Sequence, residues 1–143
     1  MAVEFTVPMK PTDKGRPRVV RVNGRRITYT PVSTAKAERN IKLFAWIAGI
    51  KSLDGPVGME VICSFRPPNS MSKKKRVAAM TGEILPTKRP DIDNICKLCA
   101  DALNGIGYHD DAQIVDLRII KKYGESDEIK ITLKPMIDVN ESN

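Results

Sequence analysis

The sequence predicts an α+β domain: a small mixed β-sheet with two helices packed on one face. Three observations predict it. Strand-like alternation occupies both ends of the chain, two stretches of helical periodicity interrupt it, and turn signals separate each segment from the next. The resulting order is three short strands, a helix, a strand, a helix and two strands.

Phe5 to Val7 is a short strand closed by Pro8, and Lys10 to Gly15 is a loop. Arg18 to Arg21 and Arg26 to Tyr29 flank Asn23-Gly24, a two-residue hairpin signal. Ser33 or Thr34 caps a helix running to about Ala48, with Ala37, Ile41, Phe44, Ala45 and Ala48 on one face and Gly49 as its stop. Trp46 lies off that stripe, at the core edge or in a subunit contact. Val57 to Phe65 alternates as a half-buried strand. Residues 67–89 hold Lys73-Lys74-Lys75-Arg76, Gly82 and Pro86, too polar and too long for an ordinary connection, and read as a basic flexible loop. A helix follows over about Asp93 to Asn104, with Ile92, Ile95, Cys96, Cys99, Leu103 and Ile106 on or near its apolar face. Gln113 to Lys121 and Glu128 to Lys134 are alternating strands, joined as a hairpin through Tyr123 to Asp127. No internal repeat divides the chain, and its 143 residues suit a single domain.

Composition excludes several classes. No apolar run approaches the roughly 20 residues that cross a bilayer, and the N-terminus lacks the basic-then-apolar order of a signal peptide. Three cysteines are too few for a disulfide framework and fit a reducing, cytoplasmic setting. Net charge is +7, but unevenly placed: residues 1–90 carry 18 basic and 6 acidic side chains, residues 91–143 carry 6 and 11. A basic protein usually has a polyanionic partner, of which nucleic acid is the commonest. An acidic cluster within it repels phosphate unless a divalent cation neutralises it. A solvated acidic tail is the bland alternative.

The acidic cluster has chemistry in its spacing. Pro90 disfavours helix at Arg89, so Asp91 falls at the cap of the following helix and Asp93 in its first turn. Inside one continuous helix the two would point about 200° apart; at a cap they converge. Lys97 and Asp101 follow at successive i+4 steps on the polar face. Tyr108-His109-Asp110-Asp111 then lies in a short loop that can supply further carboxylates. Three carboxylates without a Cys or His pair are hard ligands that suit Mg²⁺ or Mn²⁺. Such an ion activates water and offsets phosphodiester charge, and a nearby lysine stabilises the transition state. Each feature also has a plain structural explanation. Asp91-Ile92-Asp93 caps helices, Asp110-Asp111 makes turns, Lys97 pairs with Asp93 or Asp101, and Cys96-x-x-Cys99 packs into a core. His109, the only histidine, is an exposed bystander or a general base.

Taken together, Arg89-Pro90-Asp91-Ile92-Asp93-Asn94-x-x-Lys97-x-x-x-Asp101-Ala102-Leu103-Asn104-Gly105 and Tyr108-x-Asp110-Asp111-Ala112-Gln113-Ile114-Val115 resemble the signature of the RusA family of Holliday-junction resolvases. Gly15-Arg16-Pro17-Arg18 and Tyr29-Thr30-Pro31 resemble that family's N-terminal region. The resemblance implies a bacterial or phage-encoded endodeoxyribonuclease, a homodimer that binds four-way DNA junctions and resolves them by paired symmetric nicks in recombination and repair, using Mg²⁺ or Mn²⁺ and no organic cofactor. It implies Asp91, Asp93 and Asp111 as metal-binding catalytic carboxylates, Lys97 as catalytic lysine, and Asp110 as a further member of the ligand set. Arg89 is implied beside the scissile phosphate. Arg16, Arg18, Lys73, Lys74, Lys75, Arg76, Lys88 and Arg89 are the expected DNA-binding residues. A non-catalytic, structure-selective DNA-binding module and a nuclease preferring flaps or forks are the alternatives.

Overall fold

A computed structural model describes residues 2–12, 18–29 and 32–137. The elements, in chain order, are β1 (Val3–Val7), β2 (Arg18–Val22), β3 (Arg25–Tyr29), α1 (Val32–Ile47), β4 (Val57–Phe65), α2 (Lys73–Met80), α3 (Ile92–Ala102), a short 3-10 turn (Asp111–Gln113), β5 (Ile114–Tyr123) and β6 (Glu128–Pro135). The sheet runs β1-β6-β4-β5, with β4 parallel to β5 and the other two pairings antiparallel. Strands β2 and β3 form a separate hairpin. The mixed sheet and its helices make the α+β class.

One hydrophobic cluster holds the layers together. Phe5, Val7, Val57, Met59, Val61, Cys63, Ile129, Ile131 and Leu133 present one face of the sheet, and Ala37, Ile41 and Ala45 of α1 with Ile95, Leu98, Cys99 and Ala102 of α3 cover it. Val61, Ile131 and Leu133 are fully buried; burying a side chain of this size contributes about 1.5–3 kcal/mol. Helix α1 ends where expected, with Gly49 at φ 74°. There Ile50 N–H reaches Ala45 O and Gly49 N–H reaches Trp46 O, a Schellman close. Asn23 and Gly24 both take positive φ, 52° and 78°, as a two-residue hairpin turn with inverted handedness requires.

Three expectations are corrected. Val57 to Phe65 is an interior strand whose expected alternation holds at the partly buried Glu60 and Ile62 but not at Gly58 and Ser64, which are buried on the same face. The Tyr123–Asp127 segment does not close a β5–β6 hairpin, because β4 lies between those strands. β4 takes one of the two interior positions, between β6 and β5. A four-residue link, 124–127, reaches across one strand, since spanning two spacings needs only about 10 Å. Gly124 N–H to Phe65 O (3.0 Å) and Arg66 N–H to Asp127 Oδ1 (2.8 Å) pin the link over the end of β4. Finally, residues 67–89 are not one loop. They contain α2, capped by Ser72, whose hydroxyl accepts from Lys75 N–H at 3.2 Å.

Candidate active site

Helix α3 places the first carboxylates. Asp91 is its N-cap in extended conformation, yet its side chain makes no capping hydrogen bond; only its carbonyl accepts, from Ile95 N–H at 3.0 Å. Asp93 stands exposed in the first turn. Lys97 follows, 66% exposed, with its ammonium 3.9 Å from an Asp101 oxygen. The helix then ends, and a tightly bonded return leads to the second carboxylate pair. Gly105 N–H donates to Tyr108 O, and Gly107 N–H to Leu103 O. Tyr108, fully buried, donates its hydroxyl to Ala100 O at 2.6 Å and locks this return onto α3.

The 3-10 turn beginning at Asp111 carries a capping box. Asp110 Oδ2 accepts from Ala112 N–H at 3.1 Å, and Gln113 Oε1 accepts from Asp110 N–H at 3.0 Å. One carboxylate of the pair is thus occupied in local structure, while Asp111 faces the cleft. That cleft, about 380 Å³, is lined by Asp93, Cys96, Lys97, Asp101, Asp111 and Asp116 among others. Asp101, Asp111 and Asp93 together reinforce the effect of burial in raising the Cys96 thiol pKa. Asp93 and Asp101 of the helix and Asp111 of the 3-10 turn therefore line one cleft together with Lys97.

Asp93, Asp111 and Lys97 share this cleft, whereas Asp91 and Asp110 are not among its lining residues. Among the described residues no three His, Cys, Asp or Glu side chains stand close enough to hold one ion together. The donor chemistry nonetheless suits a hard divalent cation: the ionisable groups are carboxylates, and the single soft donor, Cys96, is held as a thiol.

The expected DNA-binding residues divide. Arg16 and the side chain of Arg18 lie outside the described residues. Lys73, Lys74 and Lys75 are exposed in the first turn of α2. Arg76 spends one guanidinium nitrogen on Pro68 O at 3.0 Å. Lys88 and Arg89 are exposed, and Arg89 borders a groove with Lys10 and Thr12.

Sequence reasoning missed four contributors. Asp116 borders the cleft because β5 is an edge strand with a register shift near its start. Lys121 donates to Lys88 O at 2.7 Å and to Pro90 O at 2.9 Å, tethering the residues that precede Asp91. Arg21 and Arg26 sit directly opposite each other on the β2–β3 hairpin. Like charges placed so repel, and neither forms an ion pair among the described residues. His109, which the sequence did single out, is exposed and lies 2.8 Å from Asp54.

No helix among the described residues is long and apolar enough to cross a membrane. A protein of Bacillus subtilis (strain 168) described as "Uncharacterized protein YqaN" is 36% identical over 136 residues, covering 92% of this chain and 95% of that protein. The family model described as "Endodeoxyribonuclease RusA" matches residues 8–134, a span that includes the whole cleft. This chain belongs to the RusA endodeoxyribonuclease family.

Proposed function

We propose that the protein is a Mg²⁺-dependent endodeoxyribonuclease that binds four-way DNA junctions as a homodimer and resolves them by paired symmetric nicks during recombination and repair. The observation that carries this reading is the cleft in a chain of this family: Asp93, Asp101, Asp111 and Asp116 from three separate elements, with Lys97 beside them. A side chain kept only for capping would hydrogen-bond the helix end, and that of Asp91 does not. Asp93 and Asp111 are the carboxylates that would hold Mg²⁺ or Mn²⁺, with Asp91 as a third ligand from the N-cap and Asp110 secondary because its carboxylate already caps the 3-10 turn. When bound, the ion supplies an activated water and charge neutralisation at the phosphodiester. Lys97, held near Asp101 and largely exposed, is placed to pair with phosphate charge as it develops.

The basic surface supplies the grip. Three lysines crowd the first turn of α2, where the helix dipole disfavours cations; an approaching phosphate backbone removes that conflict. The opposed Arg21 and Arg26 gain in the same way. Contacts of this kind are independent of sequence and position the protein by backbone shape. Exposed Leu43, Trp46 and Ile47 on the outer face of α1 give a second copy an apolar surface to cover.

One observation favours a non-catalytic DNA-binding module instead: the carboxylates are not gathered around a single point. Incubation with a synthetic four-way junction and Mg²⁺ separates the readings. Nicking in symmetric pairs that EDTA abolishes is expected. Binding without nicking, across several junction sequences, overturns the nuclease. Competition among junction, fork and flap substrates tests substrate choice, and sedimentation velocity tests the dimer.

A further inference from the structure

Gln113 does more than complete a capping box. Its Oε1 accepts from His109 N–H at 2.8 Å as well as from Asp110 N–H at 3.0 Å, and its Nε2 donates to Leu53 O and Gly55 O, each at 2.9 Å. A primary amide has two donor hydrogens and two acceptor lone pairs. All four are engaged, all by main chain, on two segments remote in sequence. One segment is the corner that presents Asp111; the other is the connection between α1 and β4. Capping alone would need only the bond to Asp110.

The same two segments are joined elsewhere. Leu53 N–H donates to Gly107 O at 2.9 Å, and Leu53 bridges to Tyr108. The His109–Asp54 contact adds a link, but both side chains are largely exposed and water screens it. Gln113 is itself partly buried, and its bond to Leu53 O is the shielded one of the four.

We infer that Gln113 is a positioning residue for the Asp111 carboxylate: it fixes the backbone of His109 and Asp110 against the Leu53–Gly55 connection, and so sets where Asp111 stands opposite Asp93. The inference rests on the nuclease reading. Asp110 is the weaker candidate for the place of Asp111, since one oxygen of its carboxylate is bonded to Ala112 N–H. Residues that orient ligands without touching the ion typically alter metal affinity or activity by about 10–100-fold when replaced.

The test compares wild type with Gln113→Met, which keeps the length and loses all four bonds, and Gln113→Asn, which keeps the amide and loses its reach. Three quantities are read: amide exchange at His109 and Asp110 in metal-free protein, Mn²⁺ affinity by electron paramagnetic resonance, and nicking of a four-way junction as a function of Mn²⁺. Both variants are expected to lose protection at His109 and Asp110 and to need about 10-fold more Mn²⁺ or higher for binding and for half-maximal nicking. Junction affinity in EDTA stays at the wild-type value, and excess Mn²⁺ restores the nicking rate. A residue that only supported the fold would lower junction affinity and nicking together, with no recovery. Wild-type Mn²⁺ affinity and nicking in a folded variant overturns the inference. If Gln113→Met does not fold, Gln113→Asn decides. A different pattern, wild type that neither binds Mn²⁺ nor nicks, removes the nuclease reading and the inference with it.

Discussion

Lys121 of β5 and Pro90 are joined by a 2.9 Å hydrogen bond from the ammonium to the carbonyl, so an edge strand holds the residue immediately before Asp91. The same ammonium bonds Lys88 O at 2.7 Å and lies 6.0 Å from the Phe65 ring centroid. Lys121→Met removes both bonds while keeping the stem. Hydrogen bonds to charged groups contribute about 1.5–3 kcal/mol each when shielded, and this site is half-buried. The expected loss is about 1–3 kcal/mol in denaturant unfolding, accompanied by slower nicking because Asp91 loses its anchor.

Asp91→Asn should abolish cutting and leave junction binding intact or tighter. It removes an anion beside the phosphate backbone without removing a capping bond, since the Asp91 side chain makes none. Gel-shift affinity and nicking rates measured side by side check this. Loss of binding together with loss of the folded state would assign Asp91 a structural role.

Exchanging Lys73, Lys74 and Lys75 for Gln should flatten the salt dependence of junction binding. Each phosphate contact contributes about 0.9 to the slope of log affinity against log salt. A fall of about 2–3 in that slope is expected if all three lysines reach DNA, with the stability of the fold preserved because the three side chains are exposed.

Gly107→Ala should destabilise the return that presents Asp110 and Asp111. An added Cβ at this buried glycine would stand 2.6 Å from Leu133 Cδ1, and Leu133 is itself fully buried in the core. Overpacking of this kind costs about 1–3 kcal/mol. Thermal unfolding measures the loss.

Alkaline pH should weaken the fold through Cys63. Burial raises its thiol from the ordinary 9.0 to about 11, partly offset by the nearby Lys121 charge. Between those values the unfolded chain releases the proton and the folded chain keeps it. The stabilising contribution is therefore complete below pH 9.0 and lost as pH rises through about 11. Burial raises Cys99 and Tyr108 in the same direction. Unfolding midpoints should fall over that range, and less steeply in Cys63→Ala.

Much of the scaffold was legible because its signals are local. Asn23-Gly24 carries its own turn geometry, and the helical period of α3 turns Ile95 and Cys99 inward as expected, although Leu98 is buried and Ile92, expected on the apolar face, is exposed. Asp91 at the cap follows from Pro90. What escaped depends on partners distant in sequence. Nothing near β5 or β6 announces that β4 divides them. Lys121 reads as a surface lysine until the segment at Lys88–Pro90 folds against it. Asp110-x-x-Gln113 is visible as a capping box, but the helix it caps has three residues and shows no periodicity. α2 was hidden because its first turn holds lysines and no acid, against the usual charge preference. Asp116 enters the cleft through a register shift that alternation does not record.

Strand β6 pairs with β1 on one side and β4 on the other, and β1 has no other neighbour in the sheet. β1 therefore cannot join the sheet until β6 has been made. At about 5–20 residues per second that delay is on the order of ten seconds, during which Phe5 and Val7 have only α1 to pack against. A nascent chain stalled before Glu128 cannot complete the sheet, whereas its hairpin and α3 lie wholly upstream of that point. A chain cut short of β6 is therefore expected to leave β1 and one edge of β4 unpaired, which limited proteolysis of the truncated protein would show.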